Sequence, residues 1–389
     1  MLSIKDKNFV LLHGLFDALE FGKDSFLVPY YFRKIYGANV SIVYVDKKQK
    51  MPEAHRAVPL RPIKNVFAFF SRHKPYNYDQ LPAYLFYVLK NAKKIDVLMR
   101  FHLRPISMLI GVLYKTLNPR GFLYFKADGG QGFTVNKWRK TWRGRLKKLV
   151  YRRFVKLVDL ITVETETVYK EFQQAEMFGI RLATKTRLLP NGFDEVALSA
   201  VLKEKDFPAK ENLIITVGRL GTEQKNTQML LTAVEKLNLQ DWRIVLIGHL
   251  TPEFKAWVEA FFARNPALKD KLIFTGAIYA KKDLWEWYNK ARIFVLTSRF
   301  ETWGLVLNEA VRFRNYLLTT DVGGARQLVD LTGYGTLIPQ EDTNYLFAKL
   351  RNVIAADYLQ NKYNKVRWEN VDISWEKLLK DATKDFIKT

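Results

Sequence analysis

Short apolar runs alternate with longer amphipathic stretches along this chain, and they do so in two successive series. In the first series, Phe9–Leu12, Val40–Val45, Ile95–Phe101, Phe122–Phe125 and Leu160–Val163 read as buried strands. A helix is expected over about Asp24 to Tyr36, stopped by Gly37. The second series begins after the turn signal Pro190-Asn191-Gly192 and the polar stretch Lys203–Glu211. Its strands are Leu213–Val217, Arg243–Ile247, Leu272–Thr275, Ile293–Leu296 and Tyr316–Thr319, each followed by a loop and a helix. Alternation of this kind covers both faces of a parallel sheet with helices. The chain is therefore expected to be α/β, with two doubly wound, Rossmann-like domains facing one another across a cleft. The expected division is residues 1–195, residues 196–372, and a closing amphipathic helix within 373–389 that packs back on the first domain. Met51 to Gln80, rich in proline and aromatics, is expected to contain a long loop.

Composition narrows the setting. The longest apolar stretch, Ile106 to Tyr114, falls far short of the roughly 20 residues that a membrane-spanning helix needs. Lys5 and Lys7 precede Phe9–Leu12, but His13 and Asp17 interrupt the run and no small-residue cleavage site follows, so no secretory signal is expected. The absence of cysteine excludes a disulfide framework, thiolate metal sites and a cysteine nucleophile, and it fits a cytoplasmic protein. The charge is unusual: 63 Lys and Arg stand against 39 Asp and Glu. Residues 1–200 hold 35 basic and 16 acidic side chains, whereas residues 201–389 hold 28 and 23. Such asymmetry points to a polyanion on the first half, nucleic acid or an anionic membrane surface, unless the proteome of origin is basic throughout.

Two segments of the second half carry recognisable chemistry. Phe300-Glu301-Thr302-Trp303-Gly304-Leu305-Val306-Leu307-Asn308-Glu309-Ala310 follows a predicted strand and enters a helix. That places Glu301 beside the helix N-terminus, at the mouth of the expected cleft, with Glu309 about two turns further on. Gly304 has no side chain, so a ligand can approach the unpaired amides of the first turn. A carboxylate for sugar hydroxyls, amides for phosphate and a second carboxylate for a ribose would together hold a nucleotide sugar. A capping acid followed by a solvated glutamate would show the same spacing. Val217-Gly218-Arg219-Leu220-Gly221-Thr222-Glu223-Gln224-Lys225-Asn226 occupies the loop after the first strand of the second series. Arg219 offers a bidentate fork and Lys225 a point charge, suited to clamping a diphosphate and stabilising it as a leaving group. Two solvated surface cations are the alternative.

Taken together, these segments resemble the family 4 retaining glycosyltransferases of GT-B fold, among them bacterial cell-surface polysaccharide glycosyltransferases. Glu301 and Glu309, an acid, seven residues and an acid, match that family's best-known motif. Gly218-Arg219-Leu220 with Lys225 matches its diphosphate loop, Pro190-Asn191-Gly192-Phe193-Asp194 its interdomain turn, and Asp321-Val322-Gly323-Gly324 a later loop. The likeness is strong over about residues 186–345 and weaker before that. It implies sugar transfer, with retention, from a UDP- or GDP-sugar on the second domain to an acceptor on the first. By carry-over, Glu301 contacts the donor sugar, Glu309 the ribose, and Arg219 with Lys225 the diphosphate. Gly248-His249 and Ala277-Ile278 frame the base, and Trp303, Gly304 and Leu305 complete the donor contacts. No Asp-x-Asp occurs in the chain, so metal independence is expected, with Arg219 and Lys225 supplying the positive charge. Retention is open to a double displacement through a carboxylate or to attack on the same face through an ion pair, and the resemblance favours the second.

The resemblance has departures. Trp303 stands where phenylalanine is common, and the first loop, His13 to Gly22, lacks the family's paired glycines. A histidine often follows the strand corresponding to Phe122–Phe125, where this chain has Lys126-Ala127-Asp128-Gly129-Gly130. Lys126 or Asp128 is the candidate to position donor or acceptor in its place, against the alternative of a surface cation and a turn-opening acid. His102 is a further candidate, with a hydrogen-bonded structural histidine the simpler reading.

Between Gly129 and Val158 there are ten basic residues and no acid: Lys137, Arg139, Lys140, Arg143, Arg145, Lys147, Lys148, Arg152, Arg153 and Lys156. Trp138, Trp142, Leu146 and Leu149 recur among them at helical spacing. A basic helix with tryptophans suits adsorption to anionic lipid, where each cation near the surface contributes about 1 kcal/mol. The alternative puts those apolar side chains in the core. The expectation is thus a peripheral enzyme at the cytoplasmic face of the membrane, extending a lipid-linked glycan such as one on a polyprenyl diphosphate. A soluble transferase acting on a small or protein acceptor is the near variant. A nucleic-acid-binding protein using residues 129–158 is the competitor from another class, but no base-reading module is present and Arg219, Lys225, Glu301 and Glu309 are left without a purpose. Nucleic acid is therefore not expected as a partner. A nicotinamide-dependent dehydrogenase lacks its Gly-x-Gly-x-x-Gly turn.

Overall fold

The computed structural model describes residues 2–46, 51–64, 80–127, 141–201, 203, 209–355 and 357–388. It comprises two units, one formed by Met1–Gly192 with Trp375–Thr389 and the other by Phe193–Ser374. In the first unit the strands are β1 (Leu2–Ser3), β2 (Asn8–Leu15), β3 (Asn39–Val45), β4 (Ala54–His55), β5 (Val58–Ile63), β6 (Val97–Phe101), β7 (Phe122–Ala127), β8 (Leu160–Val163), β9 (Glu176–Met177), β10 (Ile180–Arg181) and β11 (Thr186–Leu188). Eight of them form one sheet in the order β11-β8-β7-β6-β2-β3-β5-β4, parallel apart from the β4–β5 edge. The helices are α1 (Asp24–Tyr36), α2 (Leu81–Asn91), α3 (Pro105–Leu117), α4 (Trp142–Leu157) and α5 (Glu166–Gln174).

The stretch expected to be irregular contains β4 and β5, while its residues 65–79 lie outside the described part. Pro59 and Pro62 remove two ladder donors from β5, which makes it read as a loop. Next to the sheet edge the loss is tolerated, because only the two-residue β4 flanks it.

The second unit contains β12 (Glu211–Val217), β13 (Arg243–Ile247), β14 (Leu272–Gly276), β15 (Ala291–Leu296), β16 (Tyr316–Thr320) and β17 (Gly335–Ile338). They form a fully parallel sheet in the order β14-β13-β12-β15-β16-β17. Its helices are α6 (Glu195–Ser199), α7 (Thr227–Glu235), α8 (Pro252–Arg264), α9 (Lys281–Lys290), α10 (Leu305–Arg312), α11 (Ala325–Thr332), α12 (Thr343–Val353) and α13 (Tyr358–Tyr363). One core layer gathers Leu230, Ile244 and Phe261, and the other gathers Trp285, Phe294 and Leu307. A sheet buried on both faces needs apolar residues at every strand position, which is why these strands appear in the sequence as unbroken runs.

Both sheets reverse their strand order at an interior pair, β2 and β6 in the first unit and β12 and β15 in the second. Loops leaving such a pair diverge to opposite faces and open a crevice at the carboxyl ends of the strands. The chain then ends in the first unit with α14 (Trp375–Thr383) and β18 (Ile387–Lys388). The terminal helix is shorter than expected, because Ile387–Lys388 extends to pair in parallel with β1. Trp375 is fully buried there, and the hydroxyls of Tyr36 and Thr383 share a hydrogen bond of 2.6 Å.

Candidate functional site

The β12–α7 and β15–α10 loops meet at the switch point of the second unit. Lys225 Nζ donates to Glu301 Oε1 at 2.6 Å, and Ser298 Oγ donates to the same oxygen at 2.7 Å. Among the described residues Glu301 Oε2 is contacted only by Gln224 Nε2 at 3.4 Å, which leaves that oxygen with unused acceptor capacity. Gln224 also bonds the Phe300 carbonyl at 3.0 Å and accepts from Arg219, whose side chain is exposed beside the pair. The loops are tied together at the backbone. Thr297 Oγ1 donates to the Lys225 and Asn226 carbonyls, both at 3.0 Å, and Arg299 N donates to Gln224 O at 2.8 Å. Arg299 in turn pairs with Glu341, holding that carboxyl below its usual range chiefly through the hydrogen bond. Glu301 and Lys225, 76 positions apart in sequence, are thus one fixed ion pair at the crevice rather than two solvated surface charges.

The remaining expected donor contacts fall into two groups. Gly248 bonds Gly276 O at 2.9 Å, and Gly218 bonds Ile247 O at 2.9 Å, so the loops after β12, β13 and β14 are stitched side by side. A Cβ on Gly248 would lie 1.6 Å from the Gly218 carbonyl oxygen, so this approach requires glycine. Ala277 is exposed and Ile278 half-buried on the same edge. Gly304 and Leu305 open α10, and Gly304 takes φ 91°, a left-handed value. Trp303 differs from its expected role. Its ring is 2% exposed and donates Nε1–H to Asn308 Oδ1 at 2.9 Å, while Gly324 N bonds its carbonyl at 2.8 Å. The side chain therefore packs the β15–α10 loop against the Gly323-Gly324 turn and presents no ring to a ligand. Glu309 is buried, accepting from Lys281 Nζ at 2.5 Å and Trp285 Nε1 at 3.1 Å. The sequence reading missed Ser298 and the bridging role of Gln224; the Ser-x-x-Glu spacing of Ser298 and Glu301 is the signal that was available.

In the first unit, Lys126 departs from the expectation that it replaces a ligand-facing histidine, and it is not a surface cation either. It is fully buried at the end of β7, with Nζ 2.7 Å from Glu164 Oε1, 3.1 Å from Asp24 Oδ2 and 3.2 Å from Asn191 Oδ1. Burial lowers its pKa, but the attraction of Glu164 and Asp24 outweighs this and raises the net value, so it stays charged as a structural ion. Asp128, Lys137, Trp138, Arg139 and Lys140 lie outside the described residues, as does the side chain of Arg143. Arg145, Lys147, Lys148, Arg152, Arg153 and Lys156 are all exposed on α4. So are Trp142, at 70%, and Leu146 and Leu149, each at 54%; these three do not face the core. Tyr151, Phe154 and Val155 form the buried stripe instead, on the opposite side of the helix. Phe86 and Leu89 of α2 are exposed too, and α2, α3 and α4 pack side by side.

The sequence profile of the family described as Glycosyl transferases group 1 matches residues 200–367, within the second unit. The amylovoran biosynthesis glycosyltransferase AmsD of Erwinia amylovora is 26% identical over 195 residues, 49% of this chain and 49% of that protein. The N-acetylgalactosamine-N,N'-diacetylbacillosaminyl-diphospho-undecaprenol 4-alpha-N-acetylgalactosaminyltransferase of Campylobacter jejuni is 26% identical over 204 residues, 51% of this chain and 53% of that protein. The chain thus spans about half the length of these relatives. Over the whole length the fold is similar to sucrose-phosphate synthase from Thermosynechococcus elongatus, with a TM-score of 0.69, 16% identity and 98% of each chain covered. It is similar also to HepE of Anabaena in complex with UDP and glucose, with a TM-score of 0.66, 13% identity, and 97% of this chain and 99% of that one covered. The chain thus has the GT-B fold, and its GT4-like match to the group 1 glycosyltransferases, residues 200–367, falls in the unit that holds Lys225 and Glu301.

Proposed function

We propose that this protein transfers a sugar, with retention of configuration, from a UDP- or GDP-sugar to a lipid-linked or glycan acceptor at the cytoplasmic surface of a membrane. The observation that carries the reading is the Lys225–Glu301 pair, with Arg219 beside it, at the switch point of the second unit. The diphosphate becomes more negative as its bond to the sugar breaks, and Lys225 and Arg219 stabilise that charge where a metal ion would otherwise serve. Glu301 fixes the direction of Lys225 and keeps Oε2 for a sugar hydroxyl. Glu309 receives the ribose by exchanging Lys281, whose side chain is half exposed, for the ribose hydroxyls. The UDP of the Anabaena neighbour and the diphospho-undecaprenol in the Campylobacter relative's name support a nucleotide donor and a lipid diphosphate acceptor. The exposed Trp142, Leu146 and Leu149 stripe, flanked by cations, supports contact with anionic lipid.

Transfer assays with candidate nucleotide sugars, in the presence of chelator, test the reading. Lys225→Ala and Glu301→Ala are each expected to lower kcat/KM by 100-fold or more, about 3 kcal/mol, with melting temperatures close to wild type. Both side chains are partly exposed, so an orphaned partner can be solvated. Wild-type rates in either variant would remove the assignment.

A further inference from the structure

The first unit has a switch point of its own, and a cavity of about 500 Å³ lies there, lined by the ends of β2 and β6 and the first turn of α3. Arg100 forms part of its wall and is 5% exposed. Its Nη1 donates to Leu12 O and its Nη2 to Ser107 Oγ at 3.3 Å, while Nε has no acceptor among the described residues. The Tyr84 ring lies 4.6 Å away, and no carboxylate among the described residues pairs with the guanidinium. Among the described residues this buried cation is covered by neutral dipoles, without the counter-charge that normally accompanies one. The same wall carries three further features suited to an anion. Arg104 is exposed at the N-cap of α3, and with Pro105 next and no side-chain cap, the Ile106 and Ser107 amides have no intrahelical acceptor. His13 Nδ1 also lacks a partner among the described residues. Burial lowers the His13 pKa to about 4, so its ring is neutral near pH 7, while Arg100 and Arg104 bring positive charge to the wall.

We propose that this cavity binds a phosphate or diphosphate group, held by Arg100, Arg104 and the first turn of α3, with Phe101 and Ile106 contacting whatever the phosphate carries. Calling that ligand the acceptor rests on the transferase reading, whereas the preference for an anion does not. The chemistry is shared by a lipid diphosphate and a soluble sugar phosphate.

Calorimetric titration of the full chain with inorganic pyrophosphate tests the site. Wild type is expected to show two classes of binding, one lost in Lys225→Ala and the other weakened at least tenfold in Arg104→Gln. Arg100→Gln is expected to weaken the same class; if that buried substitution unfolds the protein, the exposed Arg104→Gln decides alone. An unchanged isotherm in Arg104→Gln, or loss of all binding in Lys225→Ala, overturns the proposal. Loss in Arg104→Gln with no effect of Lys225→Ala keeps the cavity and removes the donor assignment instead. In the Lys225→Ala background, geranyl diphosphate and glucose 1-phosphate then distinguish the source. Tighter binding of the first supports a lipid diphosphate and of the second a soluble sugar phosphate, provided Arg104→Gln weakens it; binding of both that is indifferent to Arg104→Gln overturns the site.

Discussion

Lys126 and Lys225 each follow an apolar strand, and in the sequence they look alike. Their surroundings set them apart. Lys126 is sealed under Glu164 and Asp24, whereas the Lys225 side chain is 14% exposed at the crevice and has, among the described residues, Glu301 as its carboxylate partner. Replacing Lys126 with methionine leaves the buried Glu164 without its main counter-charge. The expected cost is about 3–5 kcal/mol, read as a lower urea midpoint for the first unit. A variant with full stability and no transfer would show that Lys126 serves the ligand after all. Glu301 and Lys225 could be singled out because their motifs resemble those of one family, although the spacing by itself also fits a capping acid and a surface cation. The bond between them was not, since it joins loops far apart in sequence. Arg100 left a trace, a charge inside the apolar run Val97-Leu98-Met99-Arg100-Phe101, but the missing counter-charge is visible only in three dimensions.

At the scale of elements, α4 shows why helical spacing alone could not choose between membrane and core. Trp142, Leu146 and Leu149 recur as a core stripe would, and so do Tyr151, Phe154 and Val155. Only packing against the sheet and α3 decides that the second stripe is inside. Replacing Trp142, Leu146 and Leu149 together with serine is therefore expected to leave the melting temperature nearly unchanged, because none of the three is buried. Co-sedimentation with vesicles of anionic phospholipid should weaken at least tenfold. Undiminished sedimentation would assign the stripe to something other than lipid. The β5 strand was hidden for a related reason. Its prolines are unfavourable for an isolated strand and acceptable beside a sheet edge, a position that depends on the rest of the fold.

At the scale of the whole molecule, the final segment is part of the first unit although it follows the second. Trp375, Leu379 and Ile387 are buried there, β18 pairs in parallel with β1, and Lys34 pairs with Glu376 at 3.0 Å. Burying each such apolar side chain is worth roughly 1.5–3 kcal/mol. Deleting Trp375–Thr389 is expected to lower the melting transition of the first unit by about 10 °C or more, as scanning calorimetry would register, while the transition of the second unit stays in place. A single transition displaced as a whole would show that the segment stabilises both units.

What the sequence by itself determined is the class of fold, most strand positions, the asymmetry of charge and the residue types carried by the β12–α7 and β15–α10 loops. These depend on local composition and on periodicity, which every chain segment carries with it. The tertiary structure alone decided which charges are sealed and which face a crevice, which stripe of α4 is core, and that two strand-order reversals each place a cationic site at the carboxyl ends of a sheet. Burial, counter-charge and strand order arise from residues brought together from distant parts of the chain, so no local pattern can encode them.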